Sequence, residues 1–234
     1  MKAAIMQPYI FPYLGYFQLI KAVDAFVFYD DVNFIKRGWI NRNKILLNNK
    51  EKLISFPCIG ASQNKLINEV QVDLSDKQYL KLIQTIEQAY NKAPYYKEVY
   101  PIIEKVFNSS AKNIAELAIH SIKIVSEYIG INTEFYVSSE SFGETKGIDK
   151  ADRLIAISKN LGSNTYINAL GGIELYNKAY FKLKNIELHF LKPSSAPYKQ
   201  HDPINFIAGL SIIDVMMFNS PEEINEMLDN FELV

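Results

Sequence analysis

The sequence contains a single cysteine, Cys58, among its 234 residues. One cysteine excludes an intramolecular disulfide framework and every zinc motif that needs several cysteines. Three histidines without paired spacing give no indication of a metal site either. The Gly-x-Ser-x-Gly turn of serine hydrolases is also absent, so this class of enzyme is not expected.

An excess of either charge is missing as well, since 25 basic and 26 acidic residues leave a net charge of −1. A nucleic-acid surface would need a basic excess on one face, so we expect no nucleic-acid partner. No apolar run approaches the roughly 20 residues of a membrane span, and Gln7-Pro8 interrupts the start of the chain before a signal-peptide core could form. We therefore expect a cytoplasmic protein with no membrane-inserted segment.

Segments with the patterns of strands and helices alternate along the chain. Short apolar runs rich in β-branched and aromatic residues predict strands at 3–6, 25–29, 134–137, 165–167 and 186–191. Apolar residues at helical spacing predict helices at 15–23, 76–91, 94–107, 114–128, 148–160, 173–182, 211–218 and 222–228. This alternation predicts an α/β fold, with a mostly parallel sheet and helices on both faces. Without repeats or a long polar linker, the whole chain, 1–234, is expected to be one domain.

The pattern differs between residues 33 and 73. Two apolar runs, 45–47 and 53–56, flank Asn48-Asn-Lys-Glu51, and asparagine tolerates the positive φ that tight hairpin turns need. A further short strand is expected at 70–72. We interpret 33–73 as an antiparallel insertion beside the main sheet.

The first segment with a chemical character directly follows the first strand. Gln7, Tyr9, Tyr13 and Tyr16 combine hydrogen-bonding groups with flat rings, which suit stacking on a base or sugar. Gly15 would allow a phosphate to approach the start of the next helix. The structural alternative is a rigid turn whose aromatic rings cover the edge of the core.

A second segment, 29–44, begins with adjacent carboxylates. Asp30 and Asp31 could act as acid–base groups or hold Mg²⁺. Lys36, Arg37 and Arg42 could neutralise phosphates. The structural alternative is a solvated turn whose charges pair with each other.

The same segment contains three further candidates for substrate binding. Trp39, the only tryptophan, could stack on a base or sugar. Asn41 and Asn43 could recognise sugar hydroxyls with their side-chain amides. Large apolar residues interrupt these polar ones, which argues against a single solvated face.

Two later segments add weaker candidates. Asn168, Gly171 and Gly172 follow another predicted strand, where exposed backbone amides favour an anion. Tyr198 and Gln200 precede His201 in a polar loop, and a neutral imidazole there could serve as a base. We expect a catalytic role for His201. The other residues of these two segments are expected to contact the substrate: Asn168, Gly171, Gly172, Tyr198 and Gln200.

Together these segments resemble the WbqC-like family. The resemblance rests on Met6-Gln-Pro-Tyr-x-Phe-Pro-Tyr-x-Gly-Tyr-Phe17, on Tyr29-Asp-Asp-Val-x-Phe-x-Lys-Arg-Gly-Trp-x-Asn-Arg-Asn43, on Asn168-x-x-Gly-Gly, and on Tyr198-x-Gln200 with Leu210-Ser-Ile-Ile-Asp214. It spans nearly the whole chain and implies a bacterial setting, in gene clusters for O-antigen and similar surface polysaccharides. It does not imply a particular reaction.

A more distant similarity concerns the layout of the first loop. Pro-Tyr13-x-Gly15-Tyr16 at the start of a helix is similar to the His-x-Gly-His turn of nucleotidylyltransferases and pantothenate synthetases, which bind ATP phosphates there. Tyrosines occupy both histidine positions, and tyrosine supplies no cation at neutral pH. Any phosphate would therefore depend on the basic residues of segment 29–44.

The leading hypothesis is an enzyme that acts on a nucleotide-activated sugar, as a transferase or ligase that acylates a sugar amine. One alternative is a non-catalytic module that binds a glycan intermediate. Another is an ATP-dependent amide ligase that adenylylates its substrate, which would use Mg²⁺ with the nucleotide. The sequence leaves the cofactor, the sugar and the oligomeric state open.

Overall fold

A six-stranded sheet forms the centre of the computed structural model, which describes residues 1–194, 196–201 and 205–234. The strands of the described residues are β1 (Lys2–Met6), β2 (Ala25–Phe28), β3 (Arg42–Leu47), β4 (Lys50–Ser55), β5 (Glu134–Val137), β6 (Thr165–Ala169), β7 (Glu187–Pro193) and β8 (Phe231–Leu233). The sheet has the order β5-β2-β1-β6-β7-β8 and is parallel except for β8, which runs antiparallel to β7. The predicted α/β class with a mostly parallel sheet is confirmed.

Helices connect the parallel strands. Those of the described residues are α1 (Leu14–Lys21), α2 (Lys77–Tyr90), α3 (Tyr96–Phe107), α4 (Ile114–Tyr128), α5 (Ser138–Ser141), α6 (Lys150–Asn160), α7 (Lys178–Leu183), α8 (Ile212–Phe218) and α9 (Pro221–Leu228). Across the described ranges, none of them is long and apolar enough to cross a membrane. Polar caps start several of them: the Asp76 carboxylate accepts from Gln78 N, and the Asn113 side chain accepts from Glu116 N.

Both faces of the sheet are covered. Alternate strand residues point to opposite faces, so Phe26 and Phe28 pack with α1 to α4, α8 and α9, whereas Val27 packs with α6 and α7. On the first face, Phe28 stacks on Phe135 with a centroid distance of 5.3 Å. These two apolar layers explain why the central strands read as continuous hydrophobic runs.

The predicted hairpin is confirmed as an antiparallel pair, β3 and β4, outside the main sheet. Asn48 and Asn49 have φ values of 52° and 59°, the left-handed conformation that their position in the turn requires. The additional strand predicted at 70–72 does not form. Gln71 makes only isolated bridges, to Ile59 and to Asn113, because this segment passes between loops rather than along a strand.

Two further predictions need correction near the end of the chain. The helix predicted at 173–182 is only half present, since α7 begins at Lys178 after Asn177 caps it. The residues before it form a 3₁₀ turn, Leu170–Gly172, and an irregular connection. Strand β8 was not predicted, because three residues carry too little periodicity to be recognised.

The hairpin turn gives a direct test of this part of the fold. We expect Asn49→Gly to retain the free energy of unfolding of the wild type, because glycine adopts positive φ without steric cost. Asn49→Val should lose about 1–2 kcal/mol, since a β-branched residue is strained in this conformation. Denaturant unfolding measures both, with Lys50→Val on the adjacent strand as the control. Equal stability of the glycine and valine variants would contradict the turn geometry.

Candidate functional site

A cleft of about 570 Å³ opens at the carboxyl ends of β1, β2 and β6. The chain builds outward from β1 through β2 to β5, and then continues on the other side of β1 with β6 and β7. The strand order therefore reverses between β1 and β6, and ligands of open α/β sheets bind at such switch points. The cleft is lined by Ile5, Met6, Gln7, Tyr9, Tyr13, Tyr29, Val32, Ile35, Trp39, Leu154, Tyr166, Asn168, Ala169, Gly171, Gly172, Leu175 and Tyr176.

Aromatic rings dominate this lining. Five tyrosines and Trp39 contribute to it, and no charged side chain does so among the described residues. Burial raises the pKa of Tyr9, with a smaller contribution from Tyr13, and burial also raises the pKa of Tyr13. These phenols therefore stay protonated at neutral pH and can donate hydrogen bonds. The cleft is suited to a neutral, flat or polyhydroxylated group.

A smaller cationic pocket of about 180 Å³ adjoins the cleft and shares Tyr9, Tyr13 and Trp39 with it. Its charged groups are Arg42 and Lys44, whose guanidinium carbon and Nζ lie 5.9 and 5.6 Å from the centre of the Trp39 ring. Both are held in place. Arg42 Nε donates to the Gly38 carbonyl at 2.9 Å, and Lys44 Nζ pairs with Glu51 at 2.9 Å. Trp39 thus lines both the neutral cleft and the cationic pocket.

The loop that carries Tyr9 and Tyr13 is fixed through Phe11. Phe11 has a φ of 43°, and its amide donates to Ser121 Oγ at 3.1 Å. Its carbonyl accepts from the Asn43 side-chain amide and from Ser211 Oγ. Asn43, predicted to read sugar hydroxyls, is thus buried and holds the loop backbone. Each of these contacts joins a different element to the loop, which makes the tyrosine positions rigid.

Other predicted binding residues also contact the protein itself. Asn41 Nδ2 donates to the Phe56 carbonyl at 2.9 Å, and the Tyr16 hydroxyl donates to the Gln7 carbonyl at 2.8 Å. A Cβ at Gly15 would lie 2.8 Å from Pro193 Cβ, so this glycine allows β7 to approach α1.

On the far wall of the cleft, Gly172 leaves room for the Asn168 side chain, because a Cβ there would meet Asn168 Nδ2 at 2.5 Å. Gly171 has open space in front of it. Asn168 and both glycines line the cleft, and their contact with a substrate stays a prediction. Their positions bring backbone and amide groups to the rim of an otherwise aromatic surface.

The two predicted catalytic carboxylates are buried and already hydrogen-bonded. Asp30 accepts from Ser139 N at 3.0 Å, from Ser139 Oγ at 2.6 Å and from Asn68 Nδ2 at 3.0 Å. Ser138 Oγ lies 2.9 Å from Asp30 and 2.5 Å from Asp31. Neither carboxylate lines the cleft. Asp30 instead contributes to a separate polar cavity of about 480 Å³, together with His120.

Asp31 forms a buried ion pair that the sequence did not suggest. Arg153 Nη2, on α6, lies 2.5 Å from Asp31 Oδ2, and both side chains are buried. The guanidinium also packs over the Tyr29 ring at 4.8 Å and donates to Thr145 Oγ1 at 3.1 Å. The helical pattern could have indicated that Arg153 is buried, because it lies on the apolar face of its helix with Ile157 one turn later. The pattern does not indicate its partner.

The loop candidates near the end of the chain surround a different carboxylate. The Tyr198 hydroxyl and Gln200 Nε2 donate to Asp214 Oδ2 at 2.6 and 2.8 Å, and the Tyr90 hydroxyl donates to Oδ1 at 2.9 Å. His201 contacts the Ala89 carbonyl at 3.3 Å. None of the three predicted loop residues is among the described residues that line the cleft.

Lys36 and Arg37 lie in an exposed turn at the mouth of the cleft. They line neither the cleft nor the cationic pocket in the part of the chain that the structure describes. No group of three or more histidine, cysteine, aspartate or glutamate side chains could hold a metal ion within the same ranges. The oxygens of Asp30 and Asp31 all have protein partners, with which a Mg²⁺ ion would have to compete.

Removing one partner of the buried ion pair between Asp31 and Arg153 should destabilise the protein strongly. We expect Arg153→Met to lower the free energy of unfolding by about 3–5 kcal/mol, because Asp31 is then buried without a countercharge. The double variant Asp31→Asn/Arg153→Met should lose less than the sum of the two single losses. Lys192→Met, which breaks the exposed pair with Glu232, serves as the control and should cost less than about 1 kcal/mol. Additive losses would contradict the pairing.

The buried Asp214 should give the protein a characteristic pH dependence. Burial raises its pKa, although hydrogen bonds from Tyr198, Tyr90 and Gln200 oppose the shift. The native state then binds more protons at this site than the unfolded chain does above the ordinary carboxyl pKa of about 3.9. The free energy of unfolding, relative to Asp214→Asn, should therefore fall as the pH rises from about 3.9 through the raised native pKa of Asp214, by at most about 1.4 kcal/mol per unit, and level off above it. Denaturant unfolding at several pH values measures it, and a difference that rises with pH would refute the shift.

Comparisons with known proteins identify the family of the chain. A model of the WbqC-like protein family matches residues 7–226, which include the first loop, the segment around Trp39 and the Gly-Gly turn. An uncharacterized protein of Mycobacterium tuberculosis is 24% identical over 233 residues, which cover 97% of each chain. No solved structure matches the chain. The chain belongs to the WbqC-like protein family.

Proposed function

We propose that this protein binds a nucleotide-activated sugar in the cleft and acts in bacterial surface-polysaccharide synthesis, as a transferase or ligase that acylates a sugar amine. The observation that carries the proposal is the uncharged aromatic cleft beside a pocket with two cations. A nucleotide sugar has the same division, with neutral ring systems joined by a charged diphosphate. The implied setting of the family in polysaccharide gene clusters supports the substrate class.

In this proposal the neutral groups stack in the cleft. Tyr9, Tyr13 and Trp39 offer ring faces, and the protonated phenols donate to sugar hydroxyls. Gln7 and Asn168 add amide groups at the carboxyl ends of β1 and β6. Stacking on aromatic side chains contributes about 1–3 kcal/mol per base in nucleic-acid complexes. Because even millimolar affinity needs about 4 kcal/mol, stacking must act together with contacts to the diphosphate.

The diphosphate is assigned to the cationic pocket. Arg42 and Lys44 lie 5.9 and 5.6 Å from the centre of the Trp39 ring, so a ligand stacked on this ring has its charged part near both cations. Arginine suits phosphate because its planar guanidinium can donate two parallel hydrogen bonds. Lys36 and Arg37, predicted for the same task, line neither cavity among the described residues, and the proposal does not use them.

The uncharged cleft also suits chemistry at an amine. A low-dielectric site disfavours a charged ammonium and lowers its pKa, so a bound sugar amine would be present as the neutral nucleophile. Its lone pair attacks the acyl carbon, the new C–N bond forms, the bond to the leaving group breaks, and the amine proton passes to solvent. Asp30 and Asp31 then position the wall of the cleft through their hydrogen bonds, without exchanging protons with the substrate.

A second candidate is a non-catalytic module that presents a glycan intermediate to a partner enzyme. The observation in its favour is that all oxygens of Asp30 and Asp31 already have partners. The adenylylating ligase is less favoured. Tyr16, at one of the histidine positions of the related turn, is buried and bonded to the Gln7 carbonyl, so it cannot reach a phosphate.

Trp39 makes the binding proposal measurable without a label. It is the only tryptophan and lines both cavities, so its fluorescence should change on titration with UDP-, GDP- or dTDP-linked amino sugars. Tyr13→Ala should weaken the binding about 10- to 100-fold through lost stacking. Tyr180→Ala is the matched control, since both tyrosines are 37% exposed but Tyr180 lies outside the cleft. No response to any of these ligands, or equal affinity of the two variants, would refute the proposal.

The acylating enzyme and the non-catalytic module are distinguished by whether the purified protein alone forms a product. With the bound amino sugar and an acyl or aminoacyl donor, the enzyme hypothesis expects an amide product that mass spectrometry detects. Persistent binding without product from a panel of activated donors would favour the non-catalytic module.

A further inference from the structure

The turn at residues 35–39, here called the tip loop, projects from the mouth of the cleft. The Gly38 amide donates to the Ile35 carbonyl at 2.9 Å and closes the turn. Lys36 and Arg37 occupy its two central positions, and both are exposed. Arg37 has a φ of 62°, in the left-handed region that residues other than glycine and asparagine rarely adopt. Arginine therefore occupies a position of the tip loop where its backbone conformation is energetically unfavourable.

The two cations have no internal role in the part of the chain that the structure describes. Neither side chain forms a hydrogen bond or an ion pair there, and neither lines the cleft or the cationic pocket. By contrast, Arg42 and Lys44, a few residues later, are both bonded to protein groups. The positive charge of the tip loop is thus directed to solvent and is available to an external partner.

Large apolar side chains flank these cations. Ile35 is 50% exposed and Trp39 is 45% exposed, although isoleucine is among the residues most often fully buried in soluble proteins. Leu175, which also lines the cleft, is 73% exposed. Exposed apolar side chains therefore lie at the cleft, and the two cations lie between Ile35 and Trp39 in the chain.

We propose that the tip loop docks on an anionic lipid bilayer. Tryptophan favours the interfacial zone of a membrane, where its ring is amphipathic, and lysine and arginine attract anionic headgroups. Charge complementarity selects this partner over a second copy of the chain, which offers a net charge of only −1. The contact is peripheral, with Ile35 and Trp39 entering the headgroup layer, and it brings the mouth of the cleft to the lipid surface.

Vesicle sedimentation tests this docking independently of any nucleotide sugar. The full chain should bind phosphatidylcholine vesicles that contain phosphatidylglycerol, and should bind pure phosphatidylcholine vesicles much more weakly. Trp39 emission should move to shorter wavelength as the indole leaves water, and added salt should weaken the binding. Lys36→Gln/Arg37→Gln should reduce the partition coefficient about 30-fold, as expected for the loss of two surface cations. Ile35→Ser should reduce it about tenfold through lost apolar burial.

Lys182→Gln/Lys184→Gln is the matched control for the charge change. These lysines are exposed and flank Leu183, which is 82% exposed. They precede β7 and so lie near its amino end, whereas the cleft is at the carboxyl ends of the parallel strands. This variant should bind anionic vesicles like the wild type, and thermal unfolding verifies that all variants are folded. Equal binding to neutral and anionic vesicles, no binding at all, or equal losses in the two double variants would each overturn the docking proposal. None of these results bears on binding of nucleotide sugars in the cleft.

Discussion

The buried ion pair between Asp31 and Arg153 is the interaction on which the geometry of the cleft depends. It joins the end of β2 to α6, and through Ser138 it also reaches the start of α5. The guanidinium supports the ring of Tyr29, which lines the cleft. A buried pair of this kind contributes little stability compared with an apolar replacement, but either charge alone would be costly. It constrains how the loops after the parallel strands can be arranged.

A second constraint acts on the other wall of the cleft. The strained backbone at Phe11 is held by Asn43, Ser121 and Ser211, which come from β3, from α4 and from the start of α8. Three distant parts of the chain therefore determine where Tyr9 and Tyr13 lie. The charged and polar groups that fix both walls are bonded within the protein, away from the cleft. The described lining of the cleft consists mainly of aromatic rings, with two side-chain amides and no charges. This division of tasks supports a role in holding a neutral sugar or base.

Much of the fold could be predicted because it depends on local patterns. The alternation of apolar strands and amphipathic helices predicted the parallel sheet, and Asn48-Asn49 predicted the hairpin turn. Tyr9, Tyr13 and Trp39 were predicted as binding residues because their segments follow predicted strands, and open α/β sheets bind ligands at the carboxyl ends of strands. Tyr29, Tyr166 and Tyr176 also line the cleft but were not predicted. What failed was weakly periodic, as in the half-formed helix around Asn177.

The partners of polar residues could not be predicted in the same way. Asn41 and Asn43 have the same amide groups whether they bind a sugar or a backbone carbonyl, and the sequence does not distinguish the two. Tyr198 and Gln200 contact Asp214, and Arg153 contacts a residue 122 positions earlier in the chain. Only the tertiary structure brings such groups together. The sequence therefore predicts the position of a polar residue in the chain, but not the distant group with which it forms a hydrogen bond or ion pair.

The most direct test of the central claim is a crystal structure of the protein with a nucleotide-activated amino sugar bound. We expect the neutral ring systems between Tyr9, Tyr13 and Trp39, and the diphosphate beside Arg42 and Lys44. A ligand bound instead in the polar cavity beside Asp30 and His120, with the aromatic cleft empty, would contradict the account.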